Sequence, residues 1–147
     1  MKDIIEFLVG MGADASVLDA SGDTILHQAC IGADEETVKY FISQDIVDIN
    51  CRGYRGRTPV MVAAEMGSVE VVKLLVSEGA DLSLVDTEGC TILHRVCRRG
   101  HAEVASYVLT QNRIDINARD MAGRTALDWA KGKDMHDLLV SHGARSL

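Results

Sequence analysis

Four side chains able to ligate a soft metal fall within twelve residues, Cys90, His94, Cys97 and His101, in a Cys-x3-His-x2-Cys-x3-His run. Thiolate sulfur and imidazole nitrogen are the donors of closed tetrahedral zinc sites, so the set suits that metal if its members converge. Carboxylates also cluster, at Asp34-Glu35-Glu36, where they favour the start of a helix. No Gly-x-Ser-x-Gly elbow and no glycine loop of the kind that cradles phosphates accompanies the Cys, His and Asp residues. Whether any of this is chemistry depends on the elements that would have to bring the side chains together.

Those elements repeat. Gly22-Asp23-Thr24-Ile25-Leu26-His27, Gly56-Arg57-Thr58-Pro59-Val60-Met61, Gly89-Cys90-Thr91-Ile92-Leu93-His94 and Gly123-Arg124-Thr125-Ala126-Leu127-Asp128 align, with threonines spaced 34, 33 and 34 residues apart. Asp14, Asp48, Asp81 and Asp115 keep the same intervals. Two markers in one register define a real repeat. In each unit Gly-x-Thr closes a turn and opens a helix, with threonine as N-cap and Pro59 at the first helical position of its copy. Leu26/Ala29, Val60/Ala63, Leu93/Val96 and Leu127/Ala130 then form a narrow apolar stripe with small residues that let helices approach closely. A second helix follows, carrying residues such as Val71, Val72, Leu74 and Leu75, and Asp-x-x-Gly segments supply the turns. Neither helix can cover its apolar side alone, so the units must stack as a solenoid.

These residues resemble the ankyrin repeat, most closely at Thr58-Pro59, Val69-Glu70-Val71-Val72-Lys73-Leu74-Leu75 and Gly79-Ala80-Asp81. The resemblance covers essentially the whole chain. It implies an all-α repeat solenoid, a stack of antiparallel helix pairs joined by β-hairpin loops, in one domain over 1–147. The expected units are a half repeat at 1–18, repeats at 19–52, 53–85 and 86–119, and a shortened capping repeat at 120–147. Because Met1 opens directly into a second helix, the chain is expected to belong to a larger protein or to have its first unit covered by a partner. Three departures from the family pattern are expected to loosen turns locally: Gly53 in place of aspartate, Met61 and Asp128 in place of the motif histidine, and Ile31-Gly32-Ala33 with its glycine moved by one place.

The resemblance also gives every candidate ligand a structural place. Cys90 belongs to the hairpin, His94 is the turn histidine, Cys97 fills the small buried position of Cys30 and Ala64, and His101 follows the interhelical glycine. The expectation is accordingly no metal, no cofactor and no catalytic group. Composition agrees with a folded, non-secreted chain: 47% hydrophobic, 25% charged and one proline exclude a disordered polymer, and no apolar run reaches the roughly 18 residues of a membrane span. Four cysteines without a C-x-x-C pair read as free thiols, which places the protein in the cytoplasm, with the nucleus open.

Net charge is −7, yet the charges are unevenly placed. The family binds partners along the concave side formed by hairpin tips and first-helix ends. Carried onto this sequence, that side holds six basic and three acidic residues, a net of +3 that leaves −10 elsewhere. The resemblance therefore implies a protein-interaction scaffold or adaptor, monomeric by itself, presenting a basic groove to an acidic partner segment. Tyr54, Arg55, Arg57 and Met66 are expected to bind it, with Arg98, Arg99, Met121, Arg124 and Lys133. The alternative is nucleic acid or another polyanion, held by Arg52, Arg55, Arg57, Arg95, Arg98, Arg99 and Arg119. Against it, only Tyr54 offers an evident stacking platform. Finally, Leu109 and Asp115-Ile116-Asn117 resemble the pattern that an asparaginyl hydroxylase modifies in ankyrin repeats, so Asn117 is a possible hydroxylation site. A purely structural role for that asparagine is the simpler reading.

Overall fold

In the computed structural model, which describes residues 22–45 and 47–145, eight α-helices alternate between two layers. The inner layer holds α1 (Ile25–Gly32), α3 (Pro59–Glu65), α5 (Ile92–Arg99) and α7 (Ala126–Trp129). The outer layer holds α2 (Glu35–Ser43), α4 (Val69–Ser77), α6 (Ala102–Thr110) and α8 (Lys133–Ser141). Each inner helix packs on its own outer partner and on the next inner helix, and the outer helices stack in the same order. Small residues make the inner stacking close: Cys30, Ala63, Ala64 and Cys97 are fully buried between helices. Leu26, Leu93, Val71, Val72, Leu75 and Val108 fill the space between the layers. Each such aliphatic side chain contributes roughly 1.5–3 kcal/mol by leaving water. The half repeat expected at 1–18 lies outside the described residues.

The inner helices begin as the Gly-x-Thr motif predicts. The Thr24 hydroxyl accepts the His27 amide at 3.4 Å while His27 Nδ1 accepts the Thr24 amide at 3.1 Å, a reciprocal capping box. Thr91 and His94 repeat it at 3.4 and 3.0 Å. With Nδ1 accepting, Nε2 carries the proton and donates to the next hairpin, His27 to the Arg57 carbonyl at 2.8 Å and His94 to the Arg124 carbonyl at 2.9 Å. In the last unit Asp128 closes the box on Thr125 without reaching further.

The middle unit has no such bridge. Met61 fills the histidine position with a buried apolar side chain, and the Thr58 hydroxyl is left buried without a hydrogen-bond partner. Pro59 sets the first helical φ in its place. The displaced glycine of the first unit has a related cost. Gly32 stays in the helix, and Ala33, at φ 53°, takes the left-handed conformation that Gly67 (78°) and Gly100 (76°) adopt in the next two units. A side chain there is strained by roughly 1 kcal/mol.

The two threonine environments predict opposite responses to the same substitution. Thr91→Val removes a working cap and is expected to cost about 1–2 kcal/mol. Thr58→Val removes a hydroxyl that bonds to nothing and is expected to stay within about 0.5 kcal/mol of wild type. Urea unfolding of both variants checks the difference.

Candidate functional site

The hairpins that carry the basic residues are shaped by aspartate. Asp86 Oδ1 accepts the amides of Glu88 (2.8 Å) and Cys90 (3.0 Å), and Asp120 Oδ1 accepts those of Ala122 and Arg124 (both 2.9 Å). Each tip is closed by a backbone bond across it, Asp86 N to Cys90 O at 3.0 Å and Asp120 N to Arg124 O at 2.8 Å. No regular strand forms among the described residues; the hairpins are hydrogen-bonded tips. The hairpin beginning at Gly53 closes in the same way, Gly53 N to Arg57 O at 2.8 Å, but borrows its aspartate. Asp23 of the preceding unit places Oδ1 2.8 Å from the Tyr54 amide. A Cβ on residue 53 would land on that oxygen and come within 2.8 Å of His27 Nε2. The missing aspartate thus leaves this turn tight, contrary to the expectation of a looser one.

Successive hairpins are also joined to each other. The Thr87 amide and hydroxyl both donate to the Arg55 carbonyl at 2.9 Å, and the Met121 amide donates to the Glu88 carbonyl at 2.9 Å. Arg55 adopts φ 56° to present that carbonyl, a left-handed conformation at the tip.

Behind the tips lies a groove of about 510 Å3. Tyr54, Arg55 and Arg57 line it from the second hairpin, Arg95, Arg98 and Arg99 from α5, and Lys131 from the last unit. Its one acidic lining residue is Glu65, at the end of α3 and buried. Glu65 Oε2 lies 3.3 Å from Arg57 and 3.8 Å from Arg99, and Oε1 lies 3.7 Å from Arg95. His101 holds the backbone of this residue by a 2.9 Å bond to its carbonyl. Arg95 is itself buried and donates to Asp86 through Nε at 2.9 Å and Nη2 at 2.6 Å. Burial alone would lower the Arg95 pKa, but the bonds and charge of Asp86 outweigh it and the net shift is upward. Arg55 pairs with Glu88 at 3.6 Å. Arg98 and Lys131 have no carboxylate partner among the described residues. Arg98 instead lies over the Trp129 ring at 5.3 Å, and the Lys131 amide is fastened to the Cys97 carbonyl at 3.2 Å.

The residues expected on the binding face divide into two groups. Tyr54, Arg55, Arg57, Arg98 and Arg99 meet in the groove. Met66, Met121, Arg124 and Lys133 do not line it. Met66 and Met121 are exposed apolar side chains, Met121 the more so at 80%. Arg124 pairs with Asp120 at 3.2 Å and covers Trp129 at 4.6 Å, while Lys133 borders a separate hollow beside Gly132. Glu65 and Cys90, whose register puts them on the same side, are buried. Trp129, overlooked as an aromatic of this region, holds three guanidinium groups over its ring, those of Arg95, Arg98 and Arg124, and donates from Nε1 to Asp120 at 3.0 Å. Its position nine residues after Asp120 was the available signal. Of the arginines gathered for the polyanion alternative, Arg95 is committed to Asp86 and Arg52 donates to the Gly56 carbonyl at 3.1 Å.

The candidate zinc donors are separated by their structural bonds. Both His94 nitrogens are engaged, His101 Nε2 is held by Glu65, and Cys90 Sγ points to Asp120 at 4.0 Å. No group of three or more metal-binding side chains converges among the described residues. Burial pushes Cys30 and Cys97 up to about 12 and Cys90 up to about 11, which keeps them as thiols. Asn117 is likewise engaged: its Oδ1 accepts the Arg145 amide at 3.0 Å and its Nδ2 donates to the Gly143 carbonyl at 3.4 Å. Asn50 makes the same contacts with Asp81 and Gly79. Both asparagines tie one unit to the end of the next.

This architecture is that of an ankyrin-repeat protein, and the family model described as ankyrin repeats (3 copies) matches residues 1–86 and 78–146. The chain belongs to the ankyrin-repeat family, a non-catalytic fold that binds protein partners. Similar proteins include the B-cell lymphoma 3 protein homolog of Mus musculus, 30% identical over 153 aligned positions, which cover 99% of this chain and 34% of that protein. Palmitoyltransferase AKR1 of Lachancea kluyveri is 38% identical over 71% of this chain and 15% of its own length. Ankyrin repeat domain-containing protein 63 of Homo sapiens is 40% identical over 56% of this chain and 22% of its own. The chain thus spans about a third or less of these relatives. No described helix is long and apolar enough to cross a membrane.

Two outcomes follow from the hairpin geometry. Gly53→Ala should destabilise by about 1–3 kcal/mol through its clash with Asp23. Adding Asp23→Ala should make the pair less costly than the sum of the single changes, as a double-mutant cycle in urea would measure. Asp120 predicts an acid response. Burial raises its pKa, but the bonds from the Arg124 and Ala122 amides and the Trp129 indole, with the Arg124 charge, hold it below the ordinary carboxylate value. A carboxyl depressed in the folded state adds stability above its unfolded pKa of about 3.9 and loses it as pH falls through the folded value. Wild type should therefore lose more stability than Asp120→Asn between about pH 5 and pH 2.

Proposed function

We propose that this chain is an adaptor or scaffold that presents the basic groove between its second hairpin and α5 to an acidic segment of a protein partner. One observation carries the reading: six cationic side chains converge on a single concavity whose only acidic lining residue, among those described, is Glu65. Arg98 and Lys131 supply charge that no carboxylate of the described residues neutralises, and Tyr54, 41% exposed at the rim with Arg55 and Arg57 over its ring, supplies an apolar anchor. Arginine and tyrosine are the side chains most often found at the energetic centre of interfaces. Met66, Met121, Arg124 and Lys133 extend the contact beyond the groove. Opposite charge would steer encounter, and the apolar anchors would slow release. The monomer suffices for this role, and a cytoplasmic or nuclear location suits its free thiols.

Trp129 is the one tryptophan and lies beside Arg98, so it reports on the groove directly. An acidic decapeptide of alternating aspartate and glutamate should change its emission saturably. Arg98→Glu/Lys131→Glu should weaken that binding at least about tenfold without changing the melting temperature appreciably. These positions are preferable to Arg57, whose reversal would set two carboxylates against each other at Glu65. Equal binding by the variant would place the site elsewhere.

A further inference from the structure

We infer, resting on the groove reading above, that the anion this groove selects is a phosphorylated side chain of the partner segment rather than a run of carboxylates. Three features of the cluster point to a compact, multiply charged group.

The first is localisation. Alternate side chains of an extended segment lie roughly 6.6–6.8 Å apart on one face, so a carboxylate run calls for cations spread along the repeats. Here Arg57, Arg95, Arg98, Arg99 and Lys131 share one concavity of about 510 Å3, while Lys133 and Arg124 stand outside it. The second is Glu65. A carboxylate already sits among the donors, 3.3 Å from Arg57 and 3.8 Å from Arg99, so these two arginines share one carboxylate in the free protein. A partner carboxylate must compete with it on equal terms. A phosphoryl group carries about −1.5 to −2 charges and three acceptor oxygens, and can bridge the remaining donors together. The third is the state of those donors. Arg98 and Lys131 lack a carboxylate partner among the described residues, Arg99 is 56% exposed, and the Arg98 guanidinium lies 5.3 Å from the Trp129 ring, whose face attracts it and leaves its N–H groups without a carboxylate to bind. Guanidinium groups bind phosphate oxygens in pairs.

The test uses peptide libraries with randomised flanks and a fixed centre of phosphoserine, phosphothreonine, phosphotyrosine, glutamate or serine, read by retention and by Trp129 emission. A phosphorylated centre should be retained at least about tenfold more strongly than glutamate. Arg98→Gln/Lys131→Gln, shown folded by its melting curve, should abolish that preference. Glu65→Gln should strengthen phosphopeptide binding, since it removes the built-in competitor; a merely structural Glu65 would weaken it or leave it alone. Equal retention of glutamate and phosphorylated centres, both lost in the double variant, would overturn the phosphate inference and leave the acidic-segment reading standing. Retention of no library would remove both. Displacement of bound phosphopeptide by inorganic phosphate or oligothymidylate at the peptide's own concentration would also overturn it, in favour of a free anion or a polyanion.

Discussion

The hairpins beginning at Gly53, Asp86 and Asp120 are each fastened to the unit before, and the rest of the described structure depends on that tie. The Arg57 carbonyl receives both the Gly53 amide of its own turn and the His27 imidazole of the preceding helix. Arg124 does the same with Asp120 and His94. The tips are then joined to one another through Arg55 to Thr87 and Glu88 to Met121. A two-residue tip and a four-residue helix such as α7 would have little reason to hold shape alone. Bonded to a neighbour, they inherit the rigidity of the stack, where stability is a sum of units and the interfaces between them.

The groove is a consequence of the same ties. Glu65 ends α3 with its carbonyl held by His101, and its carboxylate gathers arginines from the second hairpin and from α5. Removing water from such a set of like charges is costly unless opposite charge is close. Glu65 and Asp86 supply it from the inner side of the cluster, and the part-exposed Glu88 adds to it at the surface. On the outer side Arg98 and Lys131 have no carboxylate partner among the described residues, and on the proposed reading that charge meets the partner. Because the donors are already positioned, little ordering remains to oppose binding.

What could be read in the sequence was what is local. The threonine register follows from the 33- and 34-residue repeat and the small residues of the inner helices from spacings of three, and the structure puts the threonines at the helix N-caps and buries Ala29 and Ala63 between helices. The concave face was legible only in outline. Register put Tyr54, Arg55, Arg57, Arg98 and Arg99 on one side, and they share the groove. It could not reveal that Glu65 turns inward, or that the shortened last unit brings Lys131 alongside α5 through the Cys97 carbonyl. Trp129 and Arg95 belong to the cluster through contacts between units, which carry no periodic signal. Gly53 is the clearest case. Its turn looks deficient in sequence and is complete in space, because the aspartate it lacks is supplied from 30 residues earlier by Asp23.

The central claim is that inter-repeat bonds hold the hairpins, and so the groove, in place before any partner arrives. Amide hydrogen exchange of the free protein at Thr87 and Met121 tests it most directly. Both are exposed tip residues whose amides donate across to the preceding hairpin. Protection approaching that of the α5 core amides is the predicted result. Exchange at the rate of an open loop would contradict the account, since the tips would then be ordered only by what they bind.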